Sequence, residues 1–93
     1  MQSNTIKIWG VLRQKEKIAK EAILSFDGQP ALLDCLPAFC KQFDIAVPVV
    51  LQKHEREFAQ FSRTVFFARD FMEPFSYRCF EIEILREKKE NRA

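Results

Sequence analysis

Apolar and polar side chains alternate in two neighbouring segments near the start of the chain. In the first segment, 5–12, one side carries Ile6, Ile8 and Leu12, interrupted by Gly10, and the other carries Trp9 and Val11. In the second segment, the alternating apolar positions are Ile18, Ala22, Leu24 and Phe26. Period-two alternation is typical of half-buried strands. We therefore predict a two-stranded hairpin whose polar loop, around 13–17, has about four or five residues.

A helical period follows the hairpin. Four apolar residues at spacings of four, three and four form a stripe: Leu32, Leu36, Phe39 and Phe43. Leu33 and Cys40 widen this stripe into a helical face. The stretch 27–30, Asp-Gly-Gln-Pro, precedes them and predicts a helix start with Asp27 or Gln29 near the N-cap. Pro37 conflicts with an uninterrupted helix, which predicts a kink or a regular part that begins near Asp34.

The second half of the chain predicts three more strands and a short helix. The β-branched stretch 47–51 predicts a short strand, 54–62 one or two helical turns, and 63–71 a strand that runs into a turn. The clearest alternation lies in 77–85, where Phe80, Ile82 and Ile84 face one way and Cys79, Glu81 and Glu83 the other. This last segment is predicted to be a strand.

Together these segments predict a single α+β domain over residues 1–86, with one main helix across one face of a mixed sheet. The charged residues 87–93 are predicted to form a flexible, solvated tail. The order strand, strand, helix, strand, short helix, strand, strand resembles the β-grasp, or ubiquitin-like, superfold. A ferredoxin-like sandwich is the alternative, and it fits less well because two strands precede the first helix.

A second resemblance rests on short stretches distributed over nearly the whole chain. They are 6–9, 43–45, 48–51, 57–58, 62–64, Phe66, 71–73 and 80–82. In these stretches the chain resembles a family of small bacterial proteins of unknown function. Because most of these positions are of the type found in protein cores, the resemblance implies a shared fold and no particular activity.

The β-grasp resemblance allows two known roles to be tested against the sequence. Ubiquitin-like and sulfur-carrier members end in a reactive Gly-Gly, whereas this sequence ends Asn91-Arg92-Ala93, so we do not expect that role. Plant-type ferredoxins need Cys-x4-Cys-x2-Cys. Cys35 and Cys40 have the first spacing, but Phe43 occupies the third position. No iron–sulfur cluster or other cofactor is predicted.

Composition narrows the possible functions further. The 93 residues include ten Phe and only two Gly, so no glycine-rich phosphate loop or nucleophile elbow can be written. The net charge of +2 argues against a partner recognised mainly through phosphates. Three cysteines do not make a disulfide framework, and neither a signal peptide nor a membrane span is apparent. The expected location is the cytoplasm.

No catalytic or metal site is predicted, and the chain is not expected to be an enzyme. The single histidine, His54, has charged neighbours and is expected on the surface. Glu81 and Glu83 share a strand face, where we expect a solubilising row that pairs with Lys7 on the first strand. Cys79 lies on that same polar side and is expected to be accessible.

Two binding surfaces remain as hypotheses. If the helix covers the side that carries Ile8, then Trp9, Val11 and Ile23 lie on the uncovered side of the sheet and form an apolar patch for another protein or a second copy. The alternative is single-stranded nucleic acid, bound by four cations interspersed with phenylalanines: Lys53, Arg56, Arg63 and Arg69. The interpretation favoured over nucleic-acid binding is that the phenylalanines belong to the core and the arginines form its rim.

Overall fold

The computed structural model describes residues 5–28 and 30–85 and contains one antiparallel sheet and two α-helices. In chain order the elements are β1 (Thr5–Gln14), β2 (Lys17–Asp27), α1 (Leu32–Phe43), α2 (Gln52–Phe61), β3 (Arg63–Phe67), a 3₁₀ turn (Ala68–Asp70) and β4 (Cys79–Leu85). The sheet order is β2-β1-β4-β3. The predicted α+β class is confirmed, but the prediction of a mixed sheet is wrong because all three strand pairings are antiparallel. The predicted tail, 87–93, lies outside the described residues.

The β1–β2 hairpin is tighter than predicted and contains a bulge. Its turn consists of Lys15 and Glu16, with Lys15 in the left-handed region at φ 59°. The pairing shifts after Leu12, which lies opposite Lys20, whereas Arg13 lies opposite Ile18. This shift places Ile18 on the sheet face of Arg13, so the prediction that Ile18 shares a side with Ala22 is wrong.

Helix α1 packs the predicted apolar stripe against the sheet. Its buried residues are Leu32, Cys35, Leu36, Phe39, Cys40 and Phe43. Leu33 does not widen this stripe, since 56% of its surface is exposed. The helix begins at Leu32 with Ala31 as its N-cap and continues through the exposed Pro37. Neither the start near Asp34 nor the Asp27 cap is therefore found, and Gln29 lies outside the described residues.

The predicted strand at 47–51 is wrong. Asp44, in the left-handed conformation at φ 60°, ends α1, and Leu51 is already the N-cap of α2. The residues between them cross from one helix to the next without joining the sheet. The N–H of Val49 donates a hydrogen bond to the carbonyl oxygen of Asp70, 2.7 Å away, and the Val47, Val49 and Leu51 side chains are exposed.

Both helices pack on the same face of the sheet. Phe80 and Ile82 of β4 are fully buried there, as predicted, and Ile84 is nearly so. A Cβ added to Gly10 of β1 would lie 2.5 Å from Cδ1 of Phe39, so α1 contacts the strand backbone at the point where the apolar row is interrupted. From α2, the ring of His54 lies 4.3 Å from that of Phe66, centroid to centroid. The core therefore lies between the helices and one face, and among residues 5–28 and 30–85 no helix covers the other face.

Candidate functional site

The sheet face opposite the helices, here called the open face, carries the predicted patch in altered form. Trp9 and Ile23 are directly opposite each other on β1 and β2, and 56% of the Ile23 surface is exposed. Ile18 joins them on this face because of the bulge. Val11 also belongs to the open face but is 0% exposed, so the prediction that it offers contact surface is wrong. Its cross-strand neighbours are Glu21 and Glu81, whose side chains share its face.

Trp9 is held in place by a polar neighbour. Its indole Nε1 donates a hydrogen bond to Oε1 of Glu21, 2.9 Å away. The indole is half-buried. It therefore presents an apolar surface whose orientation is already fixed.

A carboxylate between two arginines occupies the middle of the open face. Nε of Arg13 donates to Oε2 of Glu81 at 2.8 Å, and Nη2 of Arg63 lies 3.6 Å from Oε1 of the same carboxylate. Glu81 thus links β1, β4 and β3. The predicted partner, Lys7, is on the same face but lies opposite Leu85, and the cations that pair with Glu81 are the two arginines.

The three thiols are buried. Cys79 lies beside Glu81, and the expectation that it is accessible is wrong, since burial covers it and raises its pKa. Burial also raises the pKa of Cys35 and of Cys40 to about 11. A thiol protonated in this way is a poor nucleophile and metal ligand.

A second candidate surface is a groove between α2 and the outer edge of β3, here called the α2–β3 groove. Its volume is about 550 Å³, and it is lined by Lys53, Glu57, Phe61, Arg63, Thr64, Val65 and Phe67. Two aromatic side chains are unusually accessible, with 66% of Phe61 and 40% of Phe67 exposed. The guanidinium carbon of Arg69 lies 5.1 Å from the centre of the Phe67 ring. Lys53, Arg63 and Arg69 are thus gathered at one place, whereas Arg56 is exposed on α2 and does not line the groove.

His54 is fully buried, which contradicts the expected surface position. The helix α2 begins earlier than predicted, so His54 is its third residue and faces the sheet. Nδ1 accepts a hydrogen bond from the N–H of Leu51 at 2.9 Å, and this leaves the proton of the neutral ring on Nε2. Nε2 lies 3.6 Å from Oδ2 of Asp70, an oxygen that already accepts the N–H of Phe67. Burial lowers the pKa of His54, and the negative charge of Asp70 opposes this shift.

The arrangement around His54 is structural in character. One nitrogen caps α2, and the other is enclosed next to Asp70, with no hydrogen-bond partner among the described residues. A general base needs a free lone pair that a substrate can reach. No sequence pattern indicates this role, because a histidine between charged residues has the pattern of an exposed helix turn.

The described residues contain neither a metal-binding cluster nor a membrane-spanning helix. Within 5–28 and 30–85, no cluster of three or more His, Cys, Asp or Glu side chains is arranged to hold a metal ion. Nor does any helix in this part of the chain have the length and apolar character needed to cross a membrane. Comparisons with protein-family models, with curated proteins and with solved structures find no match. The β-grasp and bacterial-family resemblances accordingly stay predictions.

Proposed function

We propose that this chain is a small, non-catalytic binding module that associates with a protein through the open face of its sheet. The observation that supports this proposal is the placement of both helices on the opposite face. On the open face 56% of the Ile23 surface is exposed, and Trp9 beside it is half-buried. An uncovered apolar patch on a small domain commonly marks an interaction surface.

The chemistry of the open face favours a second copy of the chain as the partner. The apolar patch of Trp9 and Ile23 lies beside side chains of both signs, Lys7 and Glu21 among them, and Ile18 lies beyond Glu21 on β2. In a two-fold dimer each patch meets its own copy, so a surface with both charges can be complementary to itself. The indole fixed by Glu21 lowers the entropy lost on association. A different protein with an apolar strand face is the alternative partner.

The absence of catalysis and the cytoplasmic location are parts of the same proposal. The enclosure of both His54 nitrogens and the protonation of the buried thiols support a module that acts by binding.

The proposal is tested by measuring the molar mass of the full chain over a wide concentration range, by size-exclusion chromatography with light scattering. Trp9 is the sole tryptophan and lies in the proposed interface, so its fluorescence reports association directly. We expect dimers at high concentration, with a blue shift of the emission as the indole loses contact with water. A chain that remains monomeric and captures no protein partner would contradict the proposal.

A matched pair of variants separates the open face from general surface effects. Ile23→Glu places a charge in the patch, whereas Leu33→Glu places one on the outer side of α1 at a residue of the same 56% exposure. We expect Ile23→Glu to abolish association and Leu33→Glu to leave it unchanged. Equal effects of the two substitutions would place the interface elsewhere.

Single-stranded nucleic acid is the second candidate partner, favoured by the proximity of Lys53, Arg63 and Arg69 to two exposed phenylalanines. Fluorescence anisotropy with labelled oligothymidylate and oligouridylate at low salt tests it. Binding that is lost with Lys53→Glu and kept with Arg56→Glu would support this candidate. No change in anisotropy would eliminate it.

A further inference from the structure

The outer side of the β3 backbone is only partly paired. Among residues 5–28 and 30–85, the strand lies at the edge of the sheet and pairs with β4 alone. The N–H of Ile84 donates to the carbonyl oxygen of Ser62 at 2.8 Å, which sets the alternation of the ladder. Thr64 and Phe66 therefore direct their backbone groups towards β4, and Val65 directs its N–H and C=O away from it. The outward N–H of Phe67 follows the same alternation and donates to Asp70.

The two sheet edges differ in how they are protected. Edge strands commonly avoid unwanted pairing through bulges and lysines. β2 has both, with a bulge opposite Leu12 and Arg13 and with Lys17 and Lys20 along the strand. β3 has neither, because its five residues pair with β4 in unbroken register. The unprotected edge is the one that borders the α2–β3 groove.

The groove also supplies side chains for recognition. Lys53, Glu57 and Phe61 are spaced by four residues, so they form one wall along α2. Glu57 is held by the hydroxyl of Thr64, which donates to its Oε1 at 2.7 Å. Lys53, by contrast, is exposed to solvent. Phe61 and Phe67 provide apolar contact at the two ends of β3, and Arg69 adds a cation beside Phe67.

We propose that the α2–β3 groove binds an extended acidic peptide, which adds to the outer edge of β3 as a fifth strand. The free backbone groups of Val65 match a peptide backbone, which carries alternating donors and acceptors, better than a sugar–phosphate chain. Lys53 and Arg69 favour carboxylates in the peptide, and the exposed phenylalanines favour an apolar residue between them. The Glu57 carboxylate within the groove repels any anion beside it, so we expect a neutral or apolar peptide residue at that position. This site is separate from the Trp9 patch of the proposed function.

The experiment selects a displayed library of random linear peptides, about twelve residues long, against the full chain. The enriched peptides are then synthesised and their affinities measured by fluorescence anisotropy. We expect acidic and apolar residues at alternating positions in these peptides. Hydrogen exchange followed by NMR is expected to show protection of the Val65 amide in the complex, which side-chain binding alone would not produce.

Two pairs of variants localise the binding. Lys53→Glu and Val65→Pro are each expected to weaken it about tenfold, the first by reversing a charge and the second by removing the outward N–H. Their controls, Arg56→Glu on the same helix and Val65→Thr with its N–H intact, are expected to stay within about twofold of the wild type. Proline is tolerated where an edge strand points its N–H outward. If circular dichroism shows that Val65→Pro does not fold, the test rests on two other results. These are the difference in affinity between Lys53→Glu and Arg56→Glu, and the protection of the Val65 amide in the wild-type complex.

Several outcomes would overturn the proposal. They are the absence of any enriched peptide, binding that Lys53→Glu does not weaken, an unprotected Val65 amide in the complex, and peptide binding that Ile23→Glu abolishes. Groove-dependent binding of labelled oligothymidylate in place of peptides would assign the groove to nucleic acid and would also overturn it.

Discussion

The ring of Phe39 lies directly over the backbone of Gly10, where an added Cβ would come within 2.5 Å of Cδ1 and 2.6 Å of Cε1. The contact joins the middle of α1 to the middle of β1 and requires glycine at this position. Phe39 is itself fully buried among other rings, 6.5 Å from Phe26 and 6.1 Å from Phe43 between centroids. It therefore has little room to move away.

Gly10→Ala is expected to lower the free energy of unfolding by about 1–3 kcal/mol, because the methyl group overpacks the space under Phe39. Urea denaturation followed by circular dichroism measures this change. The control repeats Gly10→Ala in a Phe39→Leu variant. Because leucine is smaller than phenylalanine, the added methyl group should fit there, and the loss of stability caused by Gly10→Ala should be smaller. A cost that is the same in both backgrounds would show that the ring is not its cause.

Stability is expected to decrease as the pH falls from about 7.5 to about 5.5, because of His54. Burial lowers the pKa of His54 in the folded state, so below the ordinary value of 6.5 the unfolded chain binds a proton that the folded chain resists. The stabilisation is complete above this value and is lost as the pH falls towards the folded-state pKa. Denaturation across the pH range measures the slope.

His54→Gln is the control for this pH dependence. A glutamine at the third helical position can still accept the Leu51 N–H but does not titrate. We expect the slope between these pH values to be reduced in the variant, with the carboxylates contributing equally to both proteins. An unchanged slope would assign the effect to another group.

Glu81, which pairs with two arginines, is expected to contribute more to the free energy of unfolding than Glu83 on the same strand. Glu81→Gln removes the charge between Arg13 and Arg63, whereas Glu83→Gln neutralises a carboxylate on the same strand and face. The loss of stability should be larger for Glu81→Gln and should shrink in high salt, which screens charges near the surface. Equal losses, or a difference that salt does not change, would contradict this interpretation.

The cysteines are expected to react with a disulfide reagent only after unfolding. With a pKa of about 11, about one Cys35 or Cys40 thiol in a thousand is ionised near pH 8, and both side chains are buried. In guanidinium chloride all three thiols should be modified rapidly. Fast modification of Cys35 or Cys40 in the native protein would show that this part of α1 opens.

The elements with a strong period were predictable because local pattern and tertiary packing agree there. The alternation at Phe80, Ile82 and Ile84 matches burial at each position. The stripe on α1 was found except at Leu33, whose place is taken by Cys35. The interruption of the inner row at Gly10 was visible in the sequence, but its cause was not, since it depends on Phe39 of another element.

The predictions that were wrong concern residues whose surroundings are formed by residues distant in the sequence. Residues 47–51 have strand composition but no strand to pair with. Ile18 changes face because of a bulge, which no alternation rule detects. His54 is buried by Phe66 and Asp70, and its charged neighbours conceal this in the sequence. Val11 is covered within the face on which Ile23 is exposed and Trp9 is half-buried, because its cross-strand neighbours lie beside it, and alternation alone does not reveal this.

The central position of β4 determines when the chain can fold during its synthesis. β4 pairs with both β1 and β3, and its register joins Lys7 to Leu85. Neither of those strands has its complete β4 partner until residue 85 has left the ribosome, so the buried side of β1 lacks this partner while residues 15–85 are synthesised. Contacts between such distant residues slow folding. The nascent chain therefore exposes apolar strand surface to chaperones and to other nascent chains until β4 has left the ribosome.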